Sequence, residues 1–169
     1  MKRLLFLVTL NIVLLSHSSE LIFQISGHTD QDIKKTNQLY SQIFLPKQYG
    51  PYSFDEYRTS SELLYKNSNL DVLLLVKEQS KIVAFSLFNR ISSNNLYIKW
   101  LGVSKDCQGK KIGTKVLHYL ADTFKPQEIE LMSDKDAVSF YEKQGFEIEP
   151  EEYEGQYWDS IYMRKLLKK

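Results

Sequence analysis

The hydrophobic and polar positions along the chain predict strands and helices in alternation after a short apolar leader. Residues 20–26 have the pattern of a strand, and Thr29 then opens a helix through a capping-box pattern with Asp32. A second capping box predicts another helix, from Ser53 to about residue 66. The domain is therefore expected to begin with one strand and two helices.

The apolar residues then change from a helical to an alternating period. Three β-rich runs follow one another across short polar turns and predict an antiparallel meander: residues 71–77, 81–89 and 96–103. An amphipathic helix follows from Ile112 to Phe124, stopped by Pro126, and residues 127–132 have the pattern of a strand. Strand, helix and strand in this order imply a parallel pair with a right-handed crossover.

The C-terminal part adds a short helix and two strands. Ser133 with Asp136 is a capping pattern for a helix over residues 137–144. Two closing strands are predicted after it, separated by an acidic loop: residues 146–148 and 158–166. The predicted fold class is α/β (an α+β mixed sheet), with one central sheet and helices on both faces.

Length and composition fit one ordinary globular domain. The 169 residues are 43% hydrophobic with a formal net charge of +1, so nothing global points to nucleic acid or a membrane surface as partner. Cys107 is the single cysteine and the three histidines lack metal-site spacing, so we expect no metal. The sequence has no GxSxG, HExxH or CxxC pattern, which leaves the common hydrolase, metalloprotease and thiol-redox chemistries without support.

Residues 1–19 form a separate apolar leader. Two basic residues precede an apolar run from Leu4 to Leu15, and small polar residues follow, which is the order of a secretory signal. The run is shorter than the ~20 residues of a comfortable transmembrane helix. An N-terminal extension that never reaches the export machinery is the equal alternative. We expect one domain over residues 20–169, in the cytoplasm or, through the leader, exported or tethered to a membrane.

The loop before the amphipathic helix carries most of the chemical information. Residues 103–114 (VSKDCQGKKIGT) combine glycines with several lysines between a strand and a helix N-terminus. Such a loop directs backbone N–H groups and the positive end of the helix at one place, which suits a phosphate or pyrophosphate. Gly113 lies in the first helical turn, where glycine costs about 1 kcal/mol relative to alanine. Close approach of a ligand to the backbone would explain that glycine, and tight helix–strand packing is the alternative.

Residues 108–113 (QGKKIG) resemble the phosphate loop of the GNAT superfamily of acyl-CoA-dependent N-acetyltransferases, (Q/R)-x-x-G-x-(G/A) after a strand. Lys111 stands where the inner glycine is usual, and a positive φ there would cost about 1 kcal/mol. Residues 134–146 (DKDAVSFYEKQGF) are similar to the family's N-x-x-A-x-x-x-Y-x-x-x-G-F segment, with Asp134 in place of asparagine. The order of the elements also matches, so the resemblance covers nearly the whole chain after the leader.

The resemblance implies an enzyme that transfers an acetyl group from acetyl-CoA to an amine by direct attack in a ternary complex. Tyr141 would be catalytic and would give its proton to the leaving thiolate. Leu101 and Val103 would lend backbone groups to the pantetheine arm, and Val103 also to the developing oxyanion. The cofactor-binding positions that the family pattern implies are Leu101, Val103, Gln108, Gly109, Lys110, Lys111, Ile112, Gly113, Thr114 and Asp134.

The general base stays open at this stage. Members of the family often place a glutamate on the strand before the loop, whereas this chain offers Tyr97, Lys99 and Trp100 there. Asp134, Tyr97 or a water chain are the candidates.

The acceptor and the oligomeric state are open as well. The aromatic stretch between Tyr40 and Tyr57 could line an acceptor pocket or simply pack in the core. The acidic run from Glu147 to Glu154 could attract a cationic amine or be a solvated loop. The alternative to an active enzyme is a catalytically impaired GNAT-like module that binds CoA or a partner.

Overall fold

The structure is a computed structural model that describes residues 20–26, 29–44, 71–149 and 160–167. Its elements are β1 (Leu21–Ile25), α1 (Asp30–Phe44), β2 (Val72–Glu78), β3 (Lys81–Arg90), β4 (Asn95–Val103), α2 (Ile112–Phe124), β5 (Glu128–Asp134), α3 (Val138–Glu142), β6 (Glu147–Ile148) and β7 (Ser160–Leu166). The leader, the second predicted helix and most of the acidic loop lie outside the described residues. Within these ranges no helix has the length and apolar character needed to span a membrane.

The described strands form one mixed sheet in the order β1-β2-β3-β4-β5-β7-β6. β4 and β5 run parallel, and the other neighbouring strands run antiparallel. α2 makes the crossover between the two parallel strands, as the order strand–helix–strand predicts. The meander and the parallel pair predicted from the sequence are both confirmed.

Helices cover both faces of this sheet, which confirms the predicted fold class. α1 packs on one face, called here the α1 face, where Tyr40 and Phe44 contact Phe85 and Trp100. α2 and α3 pack on the opposite face, called the α2 face. The main core lies there and includes Leu96, Ile98, Ile112, Val116, Leu120, Ile129, Leu131 and Tyr141.

The ends of the two long helices follow local signals. Thr29 caps α1, since its Oγ1 accepts a hydrogen bond from the Asp32 N–H at 3.2 Å. α2 ends at Lys125, which has a left-handed φ of 46° directly before Pro126. Both boundaries agree with the sequence prediction.

The helix cap predicted at Ser133 is wrong. Ser133 and Asp134 are the last residues of β5 and pair with Ile161 and Ser160 of β7. The Ser133 Oγ donates to the carbonyl of Asp134 at 2.9 Å, and α3 begins only at Val138, without a side-chain cap. Strand pairing can satisfy both backbone groups of a residue, whereas a side-chain cap satisfies one N–H, so the longer strand forms instead.

Gly102 allows α1 to lie close over β4. A Cβ atom placed on it would be 2.7 Å from Cε1 of Phe85 and 3.0 Å from Cδ1 of Ile43. A side chain at this position would overpack the layer between α1 and the sheet. The glycine therefore fixes how closely the α1 face is covered beside the end of β4.

Candidate active site

The sheet opens between β4 and β5. The two strands pair from Asn95 only as far as Ile98, which lies opposite Leu131. Beyond that point residues 100–103 of β4 pair with β3 alone, and residues 132–134 of β5 pair with β7 alone. In the described part of the chain, β4 therefore ends with one edge that has no strand beside it, and we call this space the opening.

The backbone groups of Leu101 and Val103 face the opening. The Ser104 N–H donates to the Val83 carbonyl of β3 at 2.8 Å, which fixes the direction of that residue's backbone groups. Directions alternate along a strand, so Gly102 also faces β3 while Leu101 and Val103 face the opposite way. The Gln108 side chain donates to the Val103 carbonyl at 3.2 Å and holds the loop against the end of β4.

The N-terminus of α2 has no side-chain cap. Lys111 is the N-cap residue, and its side chain makes no capping hydrogen bond. None of the N–H groups of residues 109–114 donates to a backbone carbonyl among the described residues. These groups and the helix dipole make the position partly positive. The first turn of α2 has no acidic residue, and the segment carries four lysines: Lys105, Lys110, Lys111 and Lys115.

Lys111 adopts the left-handed backbone that its place in the pattern predicts, with φ 59° and ψ 19°. Gly109, two residues earlier, is also left-handed with φ 77°, and a Cβ atom placed on it would have no heavy atom within 4 Å. A residue with a Cβ in this conformation costs about 1–2 kcal/mol. The left-handed backbone of Lys111 is therefore an energetic cost of the turn that presents the N–H groups at the start of α2.

We expect Lys111→Gly to have a free energy of unfolding about 0.5–1 kcal/mol higher than Lys111→Ala. Both variants remove the charge, but only glycine relieves the left-handed strain, and its larger entropy in the unfolded chain offsets part of the gain. Urea unfolding midpoints of the two variants measure the difference. Equal midpoints would mean that the loop relaxes out of this conformation at no cost.

Gly113 is the point where three elements meet. A Cβ atom on this residue would be 3.0 Å from Cζ of Phe140 in α3 and 3.8 Å from Cδ2 of Leu101 in β4. Close packing therefore accounts for the glycine in the first turn of α2. The same contact brings the two segments of the family resemblance together, because Tyr141 follows Phe140 directly.

Tyr141 is buried, with 8% of its surface exposed. Its ring packs edge-to-face between Phe140 and Phe146, with centroids 4.9 and 5.5 Å away. Burial raises the pKa of the phenol well above its ordinary value, and the negative charge of Asp134 raises it further. The phenol therefore keeps its proton at neutral pH and is a weaker acid than an exposed tyrosine.

The remaining predicted residues differ in their exposure and in which groups, backbone or side chain, could contact a ligand. Ile112 is buried in the core and has only its backbone to offer, while Thr114 is half-buried in the first turn of α2. Asp134 is half-buried at the end of β5, across the opening from Leu101 and Val103. The exposed members lie in the loop: Gln108, Gly109, Lys110 and Lys111.

Two residues of reactive type are placed for other roles. Cys107 is 5% exposed and packs in the core, and His118 is exposed on α2. Among the described residues no three His, Cys, Asp or Glu side chains cluster in a way that could hold a metal ion.

The sequence interpretation missed a polar network on the α1 face at the base of the opening. Glu130 of β5 lies opposite Tyr97 of β4, and its carboxylate accepts hydrogen bonds from the Asn95 amide at 3.0 Å and the Tyr162 hydroxyl at 2.8 Å. The alternation of residues 128–134 does place Glu128 and Glu130 on one face of β5. What the sequence does not give is the neighbouring strand and its register.

Lys99 is also placed by a feature that the sequence does not show. It is the extra residue of a β-bulge, because Ile98 and Trp100 lie opposite consecutive residues of β3. Its ammonium group lies 2.8 Å from both carboxylate oxygens of Asp71. The Asp71 side chain is 1% exposed and that of Lys99 is 25% exposed, so the ion pair is largely shielded from water.

Comparison with known proteins gives relatives of this chain. A family model described as an acetyltransferase (GNAT) domain matches residues 24–167. The uncharacterized N-acetyltransferase ycf52 of Pyropia yezoensis is 31% identical over 102 residues, which are 57% of this chain and 59% of that protein. The chain thus matches less than two thirds of the length of this relative.

Solved structures share the fold at low sequence identity. The PaiA N-acetyltransferase of Thermoplasma acidophilum, in complex with coenzyme A, has a TM-score of 0.67 and is 21% identical, with 86% of this chain and 99% of that chain covered. Gcn5 of Tetrahymena has a TM-score of 0.68 and is 15% identical, with 86% and 96% covered. Because the family model extends over most of the sequence and the fold agrees, the chain belongs to the GNAT acetyltransferase family.

Proposed function

We propose that this protein transfers an acetyl group from acetyl-CoA to an amine by direct attack in a ternary complex. The observation that carries the proposal is the convergence at one opening in the sheet of three features. In the described residues they are the edge of β4 at Leu101 and Val103, which has no strand beside it, the uncapped N-terminus of α2, and the buried Tyr141. Tyr141 follows Phe140, whose ring lies at Gly113 of α2.

The N-terminus of α2 suits the pyrophosphate of coenzyme A. Its free N–H groups and the helix dipole attract an anion, and the lysines of the loop add charge. Lys111 keeps its own N–H in the left-handed turn, so the side chain there does not remove a donor. The first turn of α2 has no acidic residue to oppose the anion.

The free edge of β4 suits the pantetheine arm and the thioester. Amide groups of the arm can pair with Leu101 and with the Val103 N–H as a further strand would, since both residues direct their backbone groups into the opening. The Val103 carbonyl already accepts a hydrogen bond from the Gln108 side chain. A backbone N–H at the same edge can stabilise the oxyanion that develops when the amine attacks. Positioning and this electrostatic stabilisation supply most of the catalysis in such a site.

Tyr141 is the proposed proton donor to the leaving thiolate. A weakly acidic phenol can protonate a thiolate when both lie in the same apolar surroundings, because burial raises the pKa of a thiol as it does that of the phenol. Two aromatic rings beside Tyr141 provide these surroundings.

A thermal-shift titration of the full chain with acetyl-CoA and with desulfo-CoA, paired with a thiol-release assay on a panel of amines, tests the proposal. Saturable stabilisation by both compounds and thiol release with at least one amine are expected. Stabilisation without thiol release from any amine would favour the non-catalytic CoA-binding module. That alternative is suggested by the side chain at Lys111, by Asp134 in place of asparagine and by the lack of a glutamate on β4. No stabilisation by either compound at millimolar concentration would refute both functions.

A further inference from the structure

The carboxylate that the family often places on β4 has a counterpart across the sheet on β5. Tyr97 and Glu130 are partners in the register of the parallel pair. Leu96, Ile98, Ile129 and Leu131 pack in the core of the α2 face. Side chains alternate along a strand, so Tyr97 and Glu130 both lie on the α1 face.

Neutral donors hold the Glu130 carboxylate in place. The Asn95 amide donates to its Oε1 at 3.0 Å, and the Tyr162 hydroxyl donates to its Oε2 at 2.8 Å. The neighbouring carboxylates of Glu128 and Glu149 pair instead with the guanidinium of Arg164. Arg164 is the cross-strand partner of Glu130 on β7, but in the described part of the chain it pairs with those two carboxylates and not with Glu130. The half-buried Glu130 carboxylate is therefore held by neutral donors and not by an ion pair.

Glu130 also lies at the level where the sheet separates. The next residue on β5, Leu131, is the last that pairs with β4. The N-terminus of α2 belongs to the layer on the opposite face. A thioester that reaches the opening from the α2 side is therefore accessible from the α1 face, on the side of Glu130.

We infer that Glu130 is the general base that takes a proton from the acceptor amine, directly or through one water molecule. This inference rests on the proposed acetyl transfer. The fixed orientation of the carboxylate and its lack of an ion-pair partner suit it to receive an ammonium group and its proton. The role that the sequence left open between Asp134, Tyr97 and water thus belongs to a residue of β5.

The protons balance over the reaction. The acceptor ammonium gives its first proton to Glu130, and the neutral nitrogen then forms the C–N bond to the thioester carbon. The C–S bond breaks as Tyr141 gives its proton to the thiolate. The nitrogen loses its second proton as the amide forms, and this proton returns to the Tyr141 phenolate through solvent. Glu130 releases its own proton to solvent, so the products are the amide, the CoA thiol and one proton.

Glu130→Gln tests the inference with a side chain of the same shape, and Glu128→Gln is the matched control. Glu128 lies on the same face of β5 and also accepts a hydrogen bond from Asn95, at 2.9 Å. The probes are acetyl-CoA with a short aliphatic diamine, a lysine blocked at its α-amine and a peptide with a free α-amine. We expect kcat/KM of Glu130→Gln to be about 100-fold lower at neutral pH, with Glu128→Gln within about threefold of wild type.

The pH dependence separates a base from a structural residue. The variant reacts only with acceptor that has already lost its proton in solution, so its deficit relative to wild type should shrink as the pH approaches the pKa of the amine. The same deficit at every pH, or wild-type activity in Glu130→Gln, would overturn the inference while leaving acetyl transfer standing. A wild-type protein that acetylates none of the three probes would overturn the proposed function and this inference together.

Discussion

Tyr141→Phe is expected to lower the turnover of acetyl-CoA at least about 100-fold while leaving its binding intact. The substitution removes one hydroxyl and keeps the ring that packs against Phe140 and Phe146. Without the phenol, the thiolate leaves unprotonated or waits for a proton from water. Burial and the charge of Asp134 raise the pKa of this phenol above the ordinary tyrosine pKa of about 10. The wild-type side chain therefore stays protonated over a wider pH range than an exposed tyrosine.

Single-turnover kinetics and a thermal-shift titration with acetyl-CoA measure the two quantities separately. Tyr119→Phe is the matched control, because this tyrosine lies on α2 and stacks on Phe23 at 4.8 Å without a predicted part in the reaction. Unchanged turnover in Tyr141→Phe would remove the residue from the mechanism and leave it as a core aromatic. Loss of acetyl-CoA binding would assign it to the cofactor site instead.

The fold was largely predictable because its signals are local. Alternation along the meander, the change to a helical period at Ile112 and the stop at Pro126 each depend on residues close in sequence. The cap at Ser133 failed for the converse reason. Its local pattern competes with pairing to β7, a strand about thirty residues later in the chain, and the pairing prevails.

The positions that the family resemblance assigned are grouped by the structure, but their physical reasons differ. Gly113 is explained by the ring of Phe140 in α3, a contact that no spacing in the loop indicates. Lys111 does have the positive φ that the glycine pattern suggested. Motif spacing thus predicted a backbone conformation at one residue and could not predict the packing partner of another.

The positions of Glu130 and Lys99 relative to their neighbours could not be found from the sequence, since they depend on strand register. Alternation shows that Glu130 faces away from the core of the α2 face, yet only the pairing of β4 with β5 places it beside Tyr97. The bulge at Lys99 is likewise a property of two strands together. Residues that act across a sheet therefore cannot be identified from the pattern of one strand at a time.

Lys99→Met is expected to lower the free energy of unfolding by about 3 kcal/mol. Asp71 is 1% exposed at its side chain, and this substitution takes away the ammonium that contacts both of its oxygens. A carboxylate that has been removed from water is destabilising when it loses an ammonium group that contacts it. Urea unfolding gives the difference, and Lys81→Met is the control because its pair with Asp106 is 4.0 Å long and mostly exposed.

The double variant Lys99→Met with Asp71→Asn decides what the pair contributes. If the cost of the single variant comes from the weaker compensation of the buried Asp71 charge, removing that charge should restore most of the lost stability, and the two substitutions should be strongly non-additive. Simple addition of the two losses would contradict this and show that each residue acts through separate contacts.

The pair joins β4 to the start of β2 across β3, just beyond the last β4 residue that pairs with β5. A loss of stability in Lys99→Met should therefore be accompanied by weaker protection of the β4 amides against hydrogen exchange. The double variant should restore that protection.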